Sequence, residues 1–392
     1  MALQPAAGAR DLNPREVEQN RAICAALAST YRLWGYQEVT PPTFERISTL
    51  EAGGGIDDRE LVRLVADDPL GLRPELTASI ARAASTRMAG LPRPLRLWAE
   101  GPTYRSSTGD SGHQRIHEQL QSGVELLGEA GASADVELMR LLLAACEGLG
   151  LGAAQQPQLL VGHQGLLAAL LEQVSEPQRA AARRALTDFD PLALEQLPLP
   201  APQLERLRQL MRLRGVPAAV LTQLRDWLGD LPLLDQLATT LAAVAPAAER
   251  SGVQLRLDPT FQPHFALYDG LVLKLVCRGE QAPLELASGG RYNALVGRFC
   301  SDPAQAAGVG FGFDVEALRE LLGPALAAAA AAGPVLVAYA QAALLPRAMD
   351  ALEMLHRQQI SAQLLGQPVG SAAEAEAIAA SRGCSRAEWL AA

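Results

Sequence analysis

Gly308-Val309-Gly310-Phe311-Gly312-Phe313-Asp314-Val315-Glu316-Ala317-Leu318 is the stretch that sorts this sequence among folds. It is preceded by Gly289-Gly290-Arg291-Tyr292 and, far upstream, by Leu72-Arg73-Pro74-Glu75-Leu76-Thr77. Its first five residues look like the opening of a dinucleotide-binding loop, but the second half breaks GxGxxG and no acidic ribose partner stands at the expected distance. The glycines are therefore expected to serve close packing of a strand against a helix. Gly101-Pro102-Thr103-Tyr104-Arg105 and Gly123-Val124-Glu125-Leu126-Leu127-Gly128 lie between the two groups.

The remaining chemistry is bounded by composition. A chain of 392 residues, 49% hydrophobic and 20% charged, is long enough for a large core and one or two smaller units. Its 34 basic and 43 acidic residues leave a net charge of −9. That is the wrong sign for a protein whose main partner is a phosphate backbone, so no nucleic-acid partner is expected. Cys24, Cys146, Cys277, Cys300 and Cys384 are dispersed and odd in number, and read as reduced thiols. His113 and His117 are four apart without further ligands, so no metal and no cofactor are expected. With neither a secretory signal nor an apolar run of the ~18 residues a membrane span needs, a cytoplasmic protein is expected.

Along the chain, Asn13-Pro14-Arg15-Glu16 predicts a helix start, with Ile23, Leu27, Tyr31 and Trp34 on its buried face and a stop at Gly35. Tyr36 to Thr40 reads as a strand ended by Pro41-Pro42. Glu137 to Leu149 predicts a helix and Gln158 to His163 a strand. From about 165 to 250 the pattern is helical between prolines, an all-α insertion whose Arg206, Arg208, Arg212 and Arg214 read as an exposed face among acids. Leu255 to Leu257, Phe265 to Tyr268 and Leu271 to Val276 read as strands of the returning sheet. Gly323-Pro324, the alanine run from 327 to 332 and Gly333-Pro334 mark a boundary, giving units 1–322 and 334–392. In the second, a strand at Pro334 to Tyr339 and a helix at Leu344 to Gln358 open a small α/β piece.

Taken in order, Gly8-Ala9-Arg10-Asp11-Leu12-Asn13-Pro14, the Arg73-Pro74-Glu75 and Tyr104-Arg105 segments, Gly289-Gly290-Arg291-Tyr292 and Gly308-Val309-Gly310-Phe311 resemble histidyl-tRNA synthetase over roughly residues 8 to 322. The resemblance implies an α+β class II synthetase-like fold: an antiparallel sheet flanked by helices, with a helical insertion and a short C-terminal α/β piece. It also implies a homodimer through the long first helix and its following strand. Several matches in order carry weight that no single one has.

Within that superfamily the chain is most similar to the regulatory subunits of ATP phosphoribosyltransferase, synthetase paralogues that work with a short catalytic subunit in the first step of histidine biosynthesis. Ala317 stands where the synthetase pattern has an arginine, and Pro263 and His264 where it has the arginine and glycine of the histidine loop. Alanine and proline replace neither the charge nor the donors of an arginine. The implied protein is a non-catalytic hetero-oligomer subunit, with the catalytic subunit as partner and histidine as effector. A divergent synthetase or adenylate-forming enzyme is the alternative, and a scaffold without ligand the third reading.

By the same resemblance, Glu75, Thr77 and Gln121 fall where the α-amino group of histidine is held, Glu125 and Tyr268 where its imidazole is read, and Arg105 on the motif 2 arginine. Each has a plainer reading. Glu75 can cap the helix beginning near Thr77, Glu125 can pair with Arg105, and Tyr268 can be a half-buried strand aromatic.

Overall fold

The computed structural model describes residues 5–52, 59–108, 114–262, 267–328 and 333–391, which divide into two compact units, 1–323 and 324–392. The first helix, α1 (Pro14–Leu33), starts as its sequence dictates. The Asn13 side chain accepts from Glu16 N at 3.0 Å and the Glu16 carboxylate accepts from Asn13 N at 2.9 Å, which satisfies two otherwise orphaned donors. Ile23, Leu27 and Tyr31 are buried along one face, while Trp34 is a half-buried cap residue.

The strands β1 (Gln37–Glu38), β2 (Phe44–Arg46) and β3 (Leu70–Leu72) are short, the last two forming a small ribbon beside helix α2 (Ile47–Ala52). Helix α3 (Thr77–Ser85) precedes the long hairpin β4 (Leu95–Thr108) and β5 (Gln114–Leu127), which leads into helix α4 (Ala132–Gly148). Strand β6 (Gln158–His163) is followed by six helices, α5 (Gln164–Glu172), α6 (Glu176–Thr187), α7 (Pro191–Glu195), α8 (Ala201–Arg212), α9 (Pro217–Leu228) and α10 (Pro232–Arg250). The chain then returns through β7 (Gln254–Leu257), β8 (Leu271–Arg278), β9 (Pro283–Arg291), helix α11 (Asn293–Phe299), β10 (Gly308–Asp314) and helix α12 (Val315–Ala328).

The large sheet runs β1-β4-β5-β10-β9-β8-β6-β7. Its six central strands are antiparallel, as expected, and each margin adds one parallel pair, β1 with β4 and β6 with β7. On one face of the centre Val309, Phe311 and Phe313 are buried, with Phe311 6.4 Å from the Tyr31 ring and 5.6 Å from that of Phe313. Pro232, Pro217, Pro191 and Glu176-Pro177 open four of the inserted helices, where a missing backbone donor costs nothing. Within the insertion, Arg208 pairs with Glu195 and Glu205, Arg206 donates to the Gln173 side chain, and Arg214 lies over the Phe189 ring.

The second unit holds β11 (Val335–Tyr339), helix α13 (Leu345–Arg357), β12 (Ala362–Leu364), helix α14 (Ala372–Ser381) and β13 (Arg386–Leu390). Its sheet is parallel in the order β12-β11-β13, so each strand-to-strand connection needs a crossover helix.

Two sequence expectations are corrected. The helix expected from Glu137 begins five residues earlier, because Asp135 in its first turn is held by Arg291 from β9. A strand over Phe265 to Tyr268 does not form in its described half. Leu267 is in a turn and Tyr268 is irregular, leading to the bend at Asp269-Gly270 before β8; Phe265 and Ala266 lie outside the described residues, as do Pro263, His264 and His113.

Arg291 is the main polar tie through this core. Its guanidinium donates to Asp135 Oδ1 at 3.0 and 2.8 Å, to the carbonyls of Glu129 at 3.1 Å and Gly131 at 3.3 Å, and to the Asn293 side chain at 3.3 Å. Replacing Arg291 with alanine is expected to cost about 3–5 kcal/mol in urea unfolding, because it strands a buried carboxylate. Arg291→Lys should recover only part of this, since an ammonium cannot span the same set of acceptors.

Candidate functional site

The floor of the cleft is made by glycine. Residues 308, 310, 312 and 314 share one face of β10, opposite in sense to Val309, Phe311 and Phe313. A Cβ at Gly310 would lie 1.7 Å from Glu125 Oε2, and one at Gly312 2.6 Å from Gln121 Nε2. A Cβ at Gly290 on β9 would lie 2.8 Å from the Tyr268 ring. The expectation that the glycines pack a strand against a helix therefore holds only for Gly308, whose absent Cβ leaves room for Tyr292 and, on α11, Val296. Gly310, Gly312 and Gly290 instead clear space for side chains of the site, which is a close approach that any larger residue blocks.

Glu125 is 2% exposed. Its carboxylate accepts from the Tyr292 hydroxyl and has the Thr77 hydroxyl as a second partner. Burial pushes its pKa up to about 8, and the charge of Glu75 adds to this, while the bonds from Thr77 and Tyr292 oppose it. Glu75 is also raised, mainly by burial. Its two oxygens accept from Ala78 N at 3.0 and 3.2 Å, so it caps α3, a helix whose preceding residue, Leu76, has no side chain able to do so. Leu76 N donates to Gln121 Oε1 at 3.2 Å, which ties the helix entry to β5.

Arg105 Nε donates to the Pro74 carbonyl at 3.3 Å, and its charge acts on Glu60, Glu75 and Glu285. Pairing of Glu125 with Arg105 is not what the fold chooses, since Tyr292 and Thr77 take that carboxylate. Tyr268 is half-buried outside any strand, and burial together with Glu125 and Glu75 drives its hydroxyl well above the ordinary phenol range. Glu75, Thr77, Arg105, Gln121, Glu125 and Tyr268 thus form one cluster.

Beside the cluster opens a cavity of about 450 Å³ lined by Arg105, Gln119, Gln121, Lys274, Glu285, Ser288 and Asp314. A second cavity of about 610 Å³ shares Glu285 and Asp314 and adds Arg10, Glu16, Glu316, Ala317, Arg319 and Glu320. Here Ala317 N donates to Asp314 Oδ1 at 3.0 Å, and the side chain at 317 brings no charge. Arg10 is bonded to Glu16 at 2.8 Å, and Arg319 to Asn20 at 2.7 Å. Five carboxylates against two such committed arginines make this end unfavourable for a polyphosphate. Among the described residues no group of three or more His, Cys, Asp or Glu side chains could hold a metal ion.

Sequence reasoning missed two members. Tyr292 was in view as the end of Gly-Gly-Arg-Tyr, but only tertiary contact shows its hydroxyl on Glu125. Lys274 sits in a strand pattern with no local mark of the cavity it lines.

Residues 8–318 match the family model described as Histidyl-tRNA synthetase. A relative from Synechococcus sp. (strain RCC307), named ATP phosphoribosyltransferase regulatory subunit, is 51% identical over 392 residues and covers 100% of both chains. The chain belongs to this family. It is a family of regulatory, not catalytic, subunits, in keeping with the alanine at 317. In fold, the chain matches a crystal structure from Bacillus halodurans described as an ATP phosphoribosyltransferase regulatory subunit/histidyl-tRNA synthetase, with a TM-score of 0.81 at 24% identity over 100% of this chain and 99% of that one. Histidyl-tRNA synthetase from Nostoc sp. PCC 7120 matches with a TM-score of 0.77 at 17% identity, over 98% of this chain and 90% of that one. The class II synthetase-like α+β fold is thereby established.

Gly310→Ala should destabilise the protein by about 1–3 kcal/mol through overpacking, and adding Glu125→Ala should restore part of the loss, a coupling that a double-mutant cycle in urea reads directly. A raised carboxyl pKa means that the folded state holds the Glu125 proton from the unfolded value of about 4.5 up to about 8. This contribution to stability is complete below the lower value and is lost as pH rises through the upper one. Melting temperatures between those limits should therefore fall with pH more steeply for the unmodified protein than for Glu125→Gln.

Proposed function

We propose that this chain binds the catalytic subunit of ATP phosphoribosyltransferase, raises its activity and transmits feedback inhibition by histidine. The observation that supports this reading is a half-buried to buried cluster of acceptors and donors, Glu75, Thr77, Gln121, Glu125 and Tyr268, close to a second cavity lined by five carboxylates and Ala317. An ammonium needs acceptors, which Glu75, Thr77 and Gln121 supply. An imidazole needs partners that can take or share a proton, which Glu125 and Tyr268 supply.

Glu125 is central because burial holds it protonated near neutral pH. A cationic group arriving beside it favours the carboxylate, so binding of a charged ligand is linked to release of a proton. Histidine can inhibit through this chain only if it binds the inactive assembly better than the active one, and a coupling of ~1–3 kcal/mol is typical. The partner is taken from the name of the family, and the homodimer is part of the proposal, drawn from the resemblance alone. Among the described residues no helix is long and apolar enough to cross a membrane.

The test is formation of phosphoribosyl-ATP by a purified catalytic subunit, with and without this chain and then with histidine. Activity should require both chains, and histidine should suppress it. Glu75→Gln or Glu125→Gln should raise the histidine needed by about tenfold, the loss expected for one charge-assisted contact. A catalytic subunit indifferent to this chain overturns the reading, and histidine-dependent exchange of pyrophosphate into ATP would replace it with a synthetase-like enzyme.

A further inference from the structure

Of the 34 basic residues in this chain, one is a lysine, Lys274. Its placement is specific. It stands on β8 opposite Ser288 of β9, which stands opposite Gly312 of β10, so its row is two along from that of Gly290, Gly310 and Glu125 and the next one on the same face of the sheet. Nζ is 2.7 Å from Glu285 Oε2 and 5.6 Å from the Phe261 ring centroid, and the side chain lines the same cavity as Arg105 and Gln121. An ion pair whose members are 27% and 48% exposed adds little to stability. Folding therefore does not account for a lysine at the one place where it occurs.

The site has an unmet requirement that this lysine fits. An amino acid held through its ammonium and its side chain still presents a carboxylate, which calls for a cationic donor. Arg105 stands with the opposite wall, its Nε on the Pro74 carbonyl and its charge on Glu75 among others, beside the acceptors that an ammonium would use. Lys274 approaches from β8, three strand spacings or about 14 Å from the β5 backbone that carries Gln121 and Glu125, across a floor of glycine. Standing up from that separation, Lys274 and Gln121 line one cavity of about 450 Å³, which is room for a small amino acid between them. An ammonium has three donors, and its bond to Glu285 uses one of them.

We propose that Lys274 is the specificity residue that receives the α-carboxylate of the amino acid held by Glu75, Gln121 and Glu125, with Glu285 steering its ammonium over the glycine floor. This rests on the histidine reading of the cluster and adds to it the basis for preferring a free amino acid over its amine.

Because there is one lysine, the chain reports on itself. Expression with ¹³C-labelled lysine marks Lys274 alone in the full-length protein and leaves all three of its donors in place. The Lys274 side-chain signal should move on adding histidine and stay in place on adding histamine, which has the imidazole and ammonium but no carboxylate. By calorimetry the unmodified protein should bind histidine about tenfold or more tightly than histamine, the scale of one charged hydrogen bond. Lys274→Met should abolish that preference by weakening histidine alone, and Lys274→Arg should restore part of it. A preference unchanged in Lys274→Met, or a Lys274 signal that ignores histidine while calorimetry shows binding, overturns the role of Lys274 and leaves the histidine site standing. No binding of either ligand to the unmodified protein overturns both.

Discussion

Glu125 occupies space that any side chain at position 310 would fill, and much of the site follows from that exclusion. A carboxyl group 2% exposed on a sheet floor can persist only if donors are brought to it and its neighbours make room. Gly310 makes the room, and Tyr292 and Thr77 bring the donors. Tyr292 is placed by its neighbour in sequence: Arg291, at the end of β9, reaches to the opposite face, where it holds Asp135 and the carbonyls before α4. Two adjacent residues thus lock the helix layer to the cleft layer, one through a buried ion pair and the other through a hydroxyl.

The same cleft has two ends with opposite electrostatics. At one, neutralised or hydrogen-bonded carboxyls, an amide and a phenol form a compact set of acceptors and donors. At the other, Glu16, Glu285, Asp314, Glu316 and Glu320 crowd a cavity in which Arg10 and Arg319 are already engaged. A fold shared with histidyl-tRNA synthetases thus carries, at its acidic end, the wrong sign for a nucleotide. The loss at Ala317 is one part of a field, and an arginine restored there would still leave the carboxylates in excess.

Much of the fold was legible in the sequence where the cause is local. The Asn13 capping box, the prolines that open the inserted helices and the apolar run of β8 specify their elements within a few residues. Features set by distant partners were not legible. The start of α4 depends on Arg291, which lies 156 residues away from Asp135, and the expected strand at Tyr268 gives way to a turn that lets its ring pass over Gly290. The six residues assigned by resemblance are brought into one cluster, but Glu75 also has the plain task of capping α3. Both readings of that residue describe the same carboxylate.

By itself, then, the sequence determined the start of α1, the helical run between β6 and β7, the strand β8 and the family, because capping, periodicity and motif order are written in short spans of chain. Tertiary structure alone decided that Gly310 and Gly312 face the cleft rather than a helix, that Tyr292 rather than Arg105 partners Glu125, and that the single lysine stands in the cavity wall. Those facts depend on strand register, where a shift of one residue turns every side chain to the other face of the sheet. Register is fixed by the packing of the whole sheet rather than by any one of its strands.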